Sequence, residues 1–229
     1  MIWLCGDTHG EIDLDKVTEF FQYMGYNMEV TKDDLLIILG DAGAVWDDYV
    51  TDELVQSMLS DLPCSVAYID GNHENFHVLD MYPEEEWNGG RIHRIKDDII
   101  HLMRGQIYEI EGKTFFTFGG GYSVDKYMRT PGESWWPEEM PSEYEYEEGL
   151  KNLKEHGNRV DYVLTHTCPK KVANVIHPDQ TPGEEELQEY LQKVADTISF
   201  DDWYFGHWHD DVSVGNFTCL WYEIIELED

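Results

Sequence analysis

The feature that most constrains the fold is a run of five apolar residues, positions 35–39, that leads directly into Gly40 and Asp41. A continuous apolar run of this length, closed by glycine, is typical of a β-strand buried on both faces in a sheet covered by helices. Asp41 would then lie where this strand emerges at the carboxyl edge of the sheet. Open α/β sheets place their functional sites at that edge. The sequence therefore predicts an α/β fold with a carboxylate at the edge of its central sheet.

Four other apolar runs end in polar residues of similar kinds. They lead to Asp7 and His9, to Asn72 and His73, to His166, and to the pair His207 and His209. Five of the ten histidines thus fall near predicted strand ends. Carboxylate, amide and imidazole donors in this number exceed what one tetrahedral zinc needs. They suit two neighbouring transition-metal ions that share a bridging carboxylate.

Length and cysteine content favour one intracellular domain. The 229 residues fit a single α/β domain over 1–229, which can bury a sizeable core without disulfides. The four cysteines are scattered singly, and the chain begins directly with the first predicted strand rather than a secretory leader. These features predict reduced thiols and a cytoplasmic location. No apolar run approaches the roughly 20 residues of a membrane span, so we expect no membrane partner.

The formal net charge of −33 restricts the partners of the protein. A surface this acidic repels polyanions, so nucleic acid is an unfavourable partner unless a local basic groove or metal ions compensate. A small phosphorylated compound carries less charge and suffers less repulsion. Composition therefore counts against nucleic acid as a partner more than against a small phosphorylated compound.

Periodicity predicts the order of the remaining elements. Helical spacing indicates helices over 11–26, 51–62 with Thr51 as N-cap, 75–81, 142–156 with a capping box of Ser142 and Glu145, and 182–197 beginning at Pro182. Residues 91–119 form shorter alternating clusters, which predict a β-meander in a second sheet. Two further strands, at 211–214 and 216–225, are predicted to form a hairpin.

The segment at about 122–141 is rich in Trp, Pro and Glu and has no clear period. One interpretation is a surface excursion packed by Trp135 and Trp136, since long ordered loops often pack on their own side chains. The other is a lid that faces the substrate, in which Lys126 and Arg129 offer positive charge to a phosphate. The sequence leaves both interpretations open.

The polar strand ends occur as five blocks: Gly6-Asp7-Thr8-His9-Gly10, Gly40-Asp41, Gly71-Asn72-His73-Glu74, Thr165-His166 and Gly206-His207-Trp208-His209. This set resembles the calcineurin-like metallophosphoesterase superfamily, whose pattern is D-x-H, GD, GNH(D/E), H and GHxH. All five blocks are present in the right order, from Asp7 to His209. The resemblance implies a four-layer αββα sandwich, in which two mixed β-sheets pack face to face between flanking helices.

The resemblance also implies a ligand set for two metal ions. Asp7, His9 and His209 would hold one ion, Asn72, His166 and His207 the other, and Asp41 would bridge them. A neutral amide such as Asn72 limits the negative charge of the site. In an extended segment, His207 and His209 would project to one side and Trp208 to the other. The mixed oxygen and imidazole set favours Mn or Fe, and Zn is also possible.

The implied activity is hydrolysis of a phosphomonoester or phosphodiester by in-line attack of a hydroxide that bridges the metals. His73 would donate a proton or a hydrogen bond to the leaving-group oxygen. The Ser/Thr phosphatase branch continues its second block as GDxVDRG, whereas Gly40-Asp41 is followed here by Ala-Gly-Ala-Val-Trp. The phosphate-clamping arginine of that branch is missing, which argues against a protein phosphatase.

Two alternatives remain. A nuclease has similar blocks, but the acidic surface and the lack of a basic stripe count against it. A metal-binding scaffold without turnover would be favoured by loss of a ligand or of His73, and neither is lost. The sequence leaves the substrate, the choice between monoester and diester, and the oligomeric state open.

Overall fold

The computed structural model describes residues 1–25, 29–46, 49–179 and 183–227, whose strands form two mixed β-sheets. In chain order the strands are β1 (Ile2–Cys5), β2 (Leu35–Ile38), β3 (Ser65–Tyr68), β4 (Glu84–Trp87), β5 (Gly90–Lys96), β6 (Ile99–Leu102), β7 (Gln106–Ile110), β8 (Lys113–Phe118), β9 (Tyr162–Thr165), β10 (Asp202–Phe205), β11 (Val212–Val214), β12 (Phe217–Cys219) and β13 (Ile224–Glu226). The first sheet has the order β13-β1-β2-β3-β6-β5-β4 and the second β11-β12-β10-β9-β8-β7. The helices are α1 (Asp15–Met24), α2 (Tyr49–Ser60), α3 (Phe76–Leu79), α4 (Glu143–Glu155), α5 (Lys170–Ile176) and α6 (Glu185–Thr197).

The two sheets pack face to face, with helices on both outer faces. Leu4 and Ile37 of the first sheet pack against Phe115 and Leu164 of the second in one buried apolar cluster. The opposite face of the first sheet packs with residues of α1 and α2, and the outer face of the second packs with α4, α5 and α6. These layers confirm the predicted αββα sandwich. Burying one large apolar side chain contributes about 1.5–3 kcal/mol to the free energy of unfolding. The apolar cluster between the sheets is therefore the main contact that holds them together.

Parallel strands at the centre of each sheet end at the same edge of the molecule. β1, β2 and β3 are parallel neighbours in the first sheet, and β9 and β10 are parallel neighbours in the second. The polar blocks follow these five strands directly. A hydrogen bond of 2.8 Å from His166 Nδ1 to Leu39 O joins the two edges. The edge predicted from the sequence is therefore built by both sheets, each supplying part of the polar cluster.

The predicted meander is divided between the sheets. β5 and β6 belong to the first sheet, where β6 pairs in parallel with β3. β7 and β8 belong to the second sheet, where β8 pairs with β9. The prediction of a single second sheet for this region was therefore wrong. Alternating burial identifies a strand and its faces, but it does not identify the neighbour with which the strand pairs.

The predicted final strand over 216–225 is also divided. β11 and β12 form the predicted hairpin, whereas β13 pairs antiparallel with β1 in the other sheet. The interruption has a local cause, because the backbone N–H groups of Trp221, Tyr222 and Glu223 donate to the carboxylate of Asp211 instead of to a strand. Asp211 therefore holds the segment at which the chain passes from one sheet to the other.

The helices agree with the predictions in part. The capping box of Ser142 and Glu145 is present at the start of α4. Helix α2 already begins at Tyr49, so Thr51 lies inside it and is not its N-cap. Helix α5 was not predicted, and the predicted start at Pro182 lies outside the described residues.

Within the described ranges, none of the helices combines the length and apolar character needed to cross a membrane. The cytoplasmic location and the single domain over 1–229 stay predictions.

Candidate metal centre

Two buried carboxylates form the floor of the cluster. Asp7 follows β1 and Asp41 follows β2, and both side chains are almost fully buried. Asp7 accepts hydrogen bonds from the His207 backbone N–H at 2.9 Å and from His209 Nε2 at 3.1 Å. Asp41 Oδ1 accepts from the His73 backbone N–H at 2.9 Å. The carboxylates therefore connect loops that are far apart in sequence.

One group of donors lies on the solvent side of the cluster. Asp7, His9 and His209 each offer one ligand atom, and these atoms lie within 4.8 Å of one another. His9 Nδ1 is 2.8 Å from Asp13 Oδ2, which leaves His9 Nε2 facing the carboxylates. The side chain of His209 is 46% exposed, whereas that of Asp7 is only 1% exposed. This side of the cluster is therefore its opening to solvent.

A second group of donors, the buried donor group, is centred on the fully buried His166; Asn72 is also buried, and His207 is partly buried. His166 Nε2 lies 3.1 Å from Asn72 Oδ1 and 3.2 Å from His207 Nδ1. The other nitrogen of His166 is committed to Leu39 O, and Asn72 Nδ2 donates to Ser123 Oγ at 3.1 Å. His166 therefore turns Nε2 toward an amide oxygen and a second imidazole nitrogen. Three potential ligand atoms that converge in this way form the arrangement of a metal site.

Asp41 lies between the two groups. Its Oδ2 is 3.7 Å from His9 Nε2 and 3.6 Å from His166 Nε2. Ligand atoms of Asp7, Asp41 and His166 also lie within 4.8 Å of one another. The structure thus brings together the seven residues named as ligands from the sequence, with Asp41 in the middle. Their donor types fit two transition-metal ions.

The pKa values of the carboxylates and imidazoles show that the cluster favours positive charge. Burial alone would raise the pKa values of Asp7 and Asp41, but neighbouring imidazoles, His166 above all for Asp7 and His73 above all for Asp41, hold both pKa values below their usual range. Burial would lower the pKa values of His9 and His166, yet the two carboxylates outweigh it and raise them to about 9 and about 10. Protons occupy positions in the metal-free cluster that metal ions can take over.

Several of these residues have unusual backbone conformations. Positive φ angles occur at His9 (45°), Asp41 (50°), His207 (68°) and His209 (48°). Left-handed backbone at residues other than glycine costs free energy and clusters at functional sites. The prediction of an extended segment at residues 207–209 was therefore wrong. Both imidazoles still enter the cluster, but through left-handed turns that strand alternation does not describe.

Gly40 makes the close approach of His166 possible. Its φ is 96°, and a Cβ at this position would lie 2.0 Å from His166 Nδ1. We expect Gly40→Ala to displace the His166 imidazole, to lower the free energy of unfolding and to disturb the geometry of the buried donor group.

Gly112→Ala is the matched control for this prediction, because Gly112 has φ 76° and nothing within 4 Å of an added Cβ. The control carries only the left-handed cost of about 1–2 kcal/mol. Gly40→Ala should cost about 1–3 kcal/mol more because of the clash. Urea unfolding measures both variants, and equal losses of stability would contradict the close approach.

His73 lies beside the two donor groups rather than in them. Its Nε2 is 3.9 Å from Asp41 Oδ2, and its ring centroid is 5.0 Å from that of Trp46. Burial lowers the pKa of His73 and outweighs the opposing effect of Asp41, so the ring is neutral near pH 7. A neutral imidazole next to the cluster can donate one N–H to a bound ligand.

The two predicted substrate-binding cations lie in the 122–141 segment. Arg129 makes a bidentate pair with Asp125, with two contacts of 2.8 Å. Lys126 Nζ lies 3.8 Å from the ring centroid of Tyr122 and 5.1 Å from that of Trp135. The segment begins beside the buried donor group, through the bond between Asn72 and Ser123. Trp136 is buried and Trp135 is partly buried.

Sequence reasoning missed two carboxylates that contact the histidines. Asp13 contacts His9 from four residues further along the chain, a spacing that could have indicated it. Glu184 lies 3.2 Å from His207 Nε2, and no local pattern indicates this contact. Burial alone would raise the pKa of Glu184, but His207 and hydrogen bonds from Thr167 and Gln188 bring it down to about 2. Glu184 is therefore ionised in the folded protein.

Comparisons with known proteins agree with this architecture. The family model of the calcineurin-like phosphoesterases matches residues 1–211. Among solved structures, TT1561 of Thermus thermophilus is 14% identical with a TM-score of 0.50, over 96% of this chain and 87% of that chain, and this likeness shows the fold alone. A Staphylococcus aureus protein provisionally described as a 5′-nucleotidase, in complex with alpha-ketoglutarate, is 12% identical with a TM-score of 0.48, over 96% of this chain and 48% of that chain. No curated protein matches the chain in sequence.

Proposed function

The chain belongs to the calcineurin-like phosphoesterase family, and on that basis we propose that it is a metal-dependent hydrolase of a phosphomonoester or phosphodiester bond in a small or medium phosphorylated compound. The observation that carries this proposal is the pair of donor groups that meet at Asp41, where both sheets end. Acidic and imidazole donors at a solvent opening suit the binding of metal ions and, through them, of a phosphate.

The two donor groups define the proposed ligands. Asp7, His9 and His209 would hold one ion, Asn72, His166 and His207 the other, and Asp41 would bridge them. Mn or Fe suits the mixed oxygen and imidazole donors best, and Zn is the other candidate. The bound ions would supply Lewis-acid stabilisation of the phosphoryl oxygens and acidify the attacking water.

The protein side chains would supply the rest of the chemistry. His73 faces the carboxylates through Nε2, and it would donate a hydrogen bond, or in its protonated form a proton, to the leaving-group oxygen. Lys126 and Arg129 are our candidates for contacts to an anionic part of the substrate. Asp125 holds Arg129 in place. Within the described part of the chain, no carboxylate pairs with Lys126 at ion-pair distance, so its charge is the more available of the two.

Hydrolysis assays with defined metals test the proposal. Metal-stripped protein is given Mn, Fe, Zn or Mg and assayed with p-nitrophenyl phosphate and bis-p-nitrophenyl phosphate. We expect turnover that requires added metal, with two metal ions bound per chain at saturation. The preferred ester distinguishes a phosphomonoesterase from a phosphodiesterase. A protein that binds two ions but hydrolyses neither ester nor any other phosphorylated compound would support the scaffold alternative.

Replacing His73 should separate catalysis from metal binding. We expect His73→Asn to lower kcat about 100-fold, because a positioned acid or hydrogen-bond donor typically contributes that much or more. The deficit should shrink for esters with good leaving groups, which need less help from a proton donor. His77→Asn is the control, since His77 is an exposed histidine four residues away. Loss of bound metal in His73→Asn, measured by elemental analysis, would contradict the proposed role.

A further inference from the structure

Glu184 connects His207 to three other parts of the structure. Its buried carboxylate accepts hydrogen bonds from the Tyr122 backbone N–H at 3.0 Å, from Thr167 Oγ1 at 2.6 Å and from Gln188 Nε2 at 2.9 Å. These donors belong to the loop after β8, the loop after β9 and helix α6. A carboxylate held by donors on three elements has little freedom to move.

The same carboxylate determines how the His207 ring is presented. Glu184 Oε1 lies 3.2 Å from His207 Nε2, and His207 Nδ1 lies 3.2 Å from His166 Nε2 on the opposite side of the ring. An imidazole that donates its Nε2–H to a carboxylate keeps its lone pair on Nδ1. Glu184 therefore selects the tautomer whose free nitrogen faces the buried donor group.

We propose that Glu184 is a positioning residue. It would aim His207 Nδ1 at the metal ion that the buried donor group holds and so raise the metal affinity of that group. The inference rests on the proposed function, which makes His207 a ligand. The backbone of His207 is left-handed, with φ 68°, so the ring is attached to a conformation that needs support from its surroundings. Carboxylates that hold metal-bound histidines typically contribute about 10- to 100-fold to metal affinity.

Glu184→Gln is the informative substitution because it keeps the size of the side chain. One amide oxygen can accept from His207 or from Thr167, and the amide N–H₂ must then face another donor. In a calorimetric titration of metal-stripped protein with Mn²⁺, we expect two sites in the wild type. In Glu184→Gln, one site should weaken about 10- to 100-fold and the other should stay unchanged.

Further variants test whether Glu184 acts through His207. Glu186→Gln makes the same charge change on the exposed side of α6, and it should bind both ions like the wild type. His207→Ala should weaken one site, and adding Glu184→Gln to His207→Ala should cause no further loss, because Glu184 acts through that ring. Melting temperatures of the metal-free variants reveal any general loss of fold. If Glu184→Gln fails to fold, Thr167→Val loosens the carboxylate more gently and should weaken the same site.

Each outcome has a distinct meaning. Wild-type affinity at both sites in folded Glu184→Gln, or the same loss with and without His207, would overturn the positioning role. A His207→Ala protein that binds both ions normally would instead overturn the ligand assignment, and with it the proposed metal centre. Loss in Glu184→Gln that disappears in the His207→Ala background establishes the inference.

Discussion

Replacing Asp41 by asparagine is expected to lower kcat/KM for a phosphate ester by at least about 10,000-fold, because the change affects both proposed metal ions. Asp41 Oδ2 lies within 3.7 Å of His9 Nε2 and 3.6 Å of His166 Nε2, one from each donor group. Asparagine can keep the acceptor for the His73 backbone N–H but loses the negative charge that attracts both cations. The fold should therefore survive, while the variant should bind fewer than two metal ions.

The measurement combines ester hydrolysis with elemental analysis of bound metal. Asp61→Asn provides the control, since Asp61 is an exposed aspartate outside the cluster. It should behave like the wild type in both assays. An Asp41→Asn protein that keeps two bound ions and more than a trace of activity would show that Asp41 does not bridge the ions.

The stability of the metal-free protein is expected to fall as pH rises from about 6.5 to 8. Burial would lower the pKa values of His9 and His166, but Asp41 and Asp7 raise them from 6.5 to about 9 and about 10. In this window the unfolded chain releases protons that the folded protein keeps. A raised pKa stabilises the folded state fully below the unfolded value and loses its contribution as pH approaches the folded value. With two such histidines, the slope approaches about 2.7 kcal/mol per pH unit.

Urea unfolding in the presence of EDTA measures this slope. The window ends near pH 8 because cysteines of the unfolded chain, and an N-terminal amine whose folded pKa is raised, titrate above it. It begins at 6.5 because His93, whose pKa burial lowers to about 4, destabilises the fold below that pH.

Saturating Mn²⁺ should flatten the profile, because metal ions take the place of the protons. Asp41→Asn should also reduce the slope, since Asp41 raises the pKa of both histidines. A metal-free protein whose stability is constant or rises over this range would contradict the assigned protonation.

Much of the cluster was predictable because its residues occupy strand ends. Asp7, Asp41 and Asn72 follow apolar runs that the sequence displays directly, and parallel strands bring their carboxyl ends to one edge. The assignment of strands to the two sheets was harder to predict, since strand pairing depends on contacts between distant segments rather than on local periodicity. The divided meander and the path of the chain after Cys219 are examples. In the latter case a single side chain, Asp211, ends the strand.

The surroundings of the ligands could not be predicted for a related reason. Glu184 is one of 48 acidic residues in the chain, and only the packing of α6 against the loop after β9 brings it to His207. The left-handed conformations of His207 and His209 were equally hidden, because no glycine or asparagine at these positions signals them. The types of the metal ligands are visible in a sequence. The side chains that orient those ligands, such as Glu184, are brought to them only by tertiary structure.

The cluster is shared by two sheets, and this has a consequence for biosynthesis. Asp7 and His209, which touch in the finished molecule, are separated by 202 positions. On the ribosome, the early strands β1, β2 and β3 expose their carboxylates and Asn72 long before His166, His207 and His209 have been translated. A nascent chain therefore holds only part of the proposed ligand set, and that part is rich in carboxylates. In the proposed metal centre, both donor groups are complete only after the second sheet has docked, so we expect tight metal uptake to follow the completion of folding.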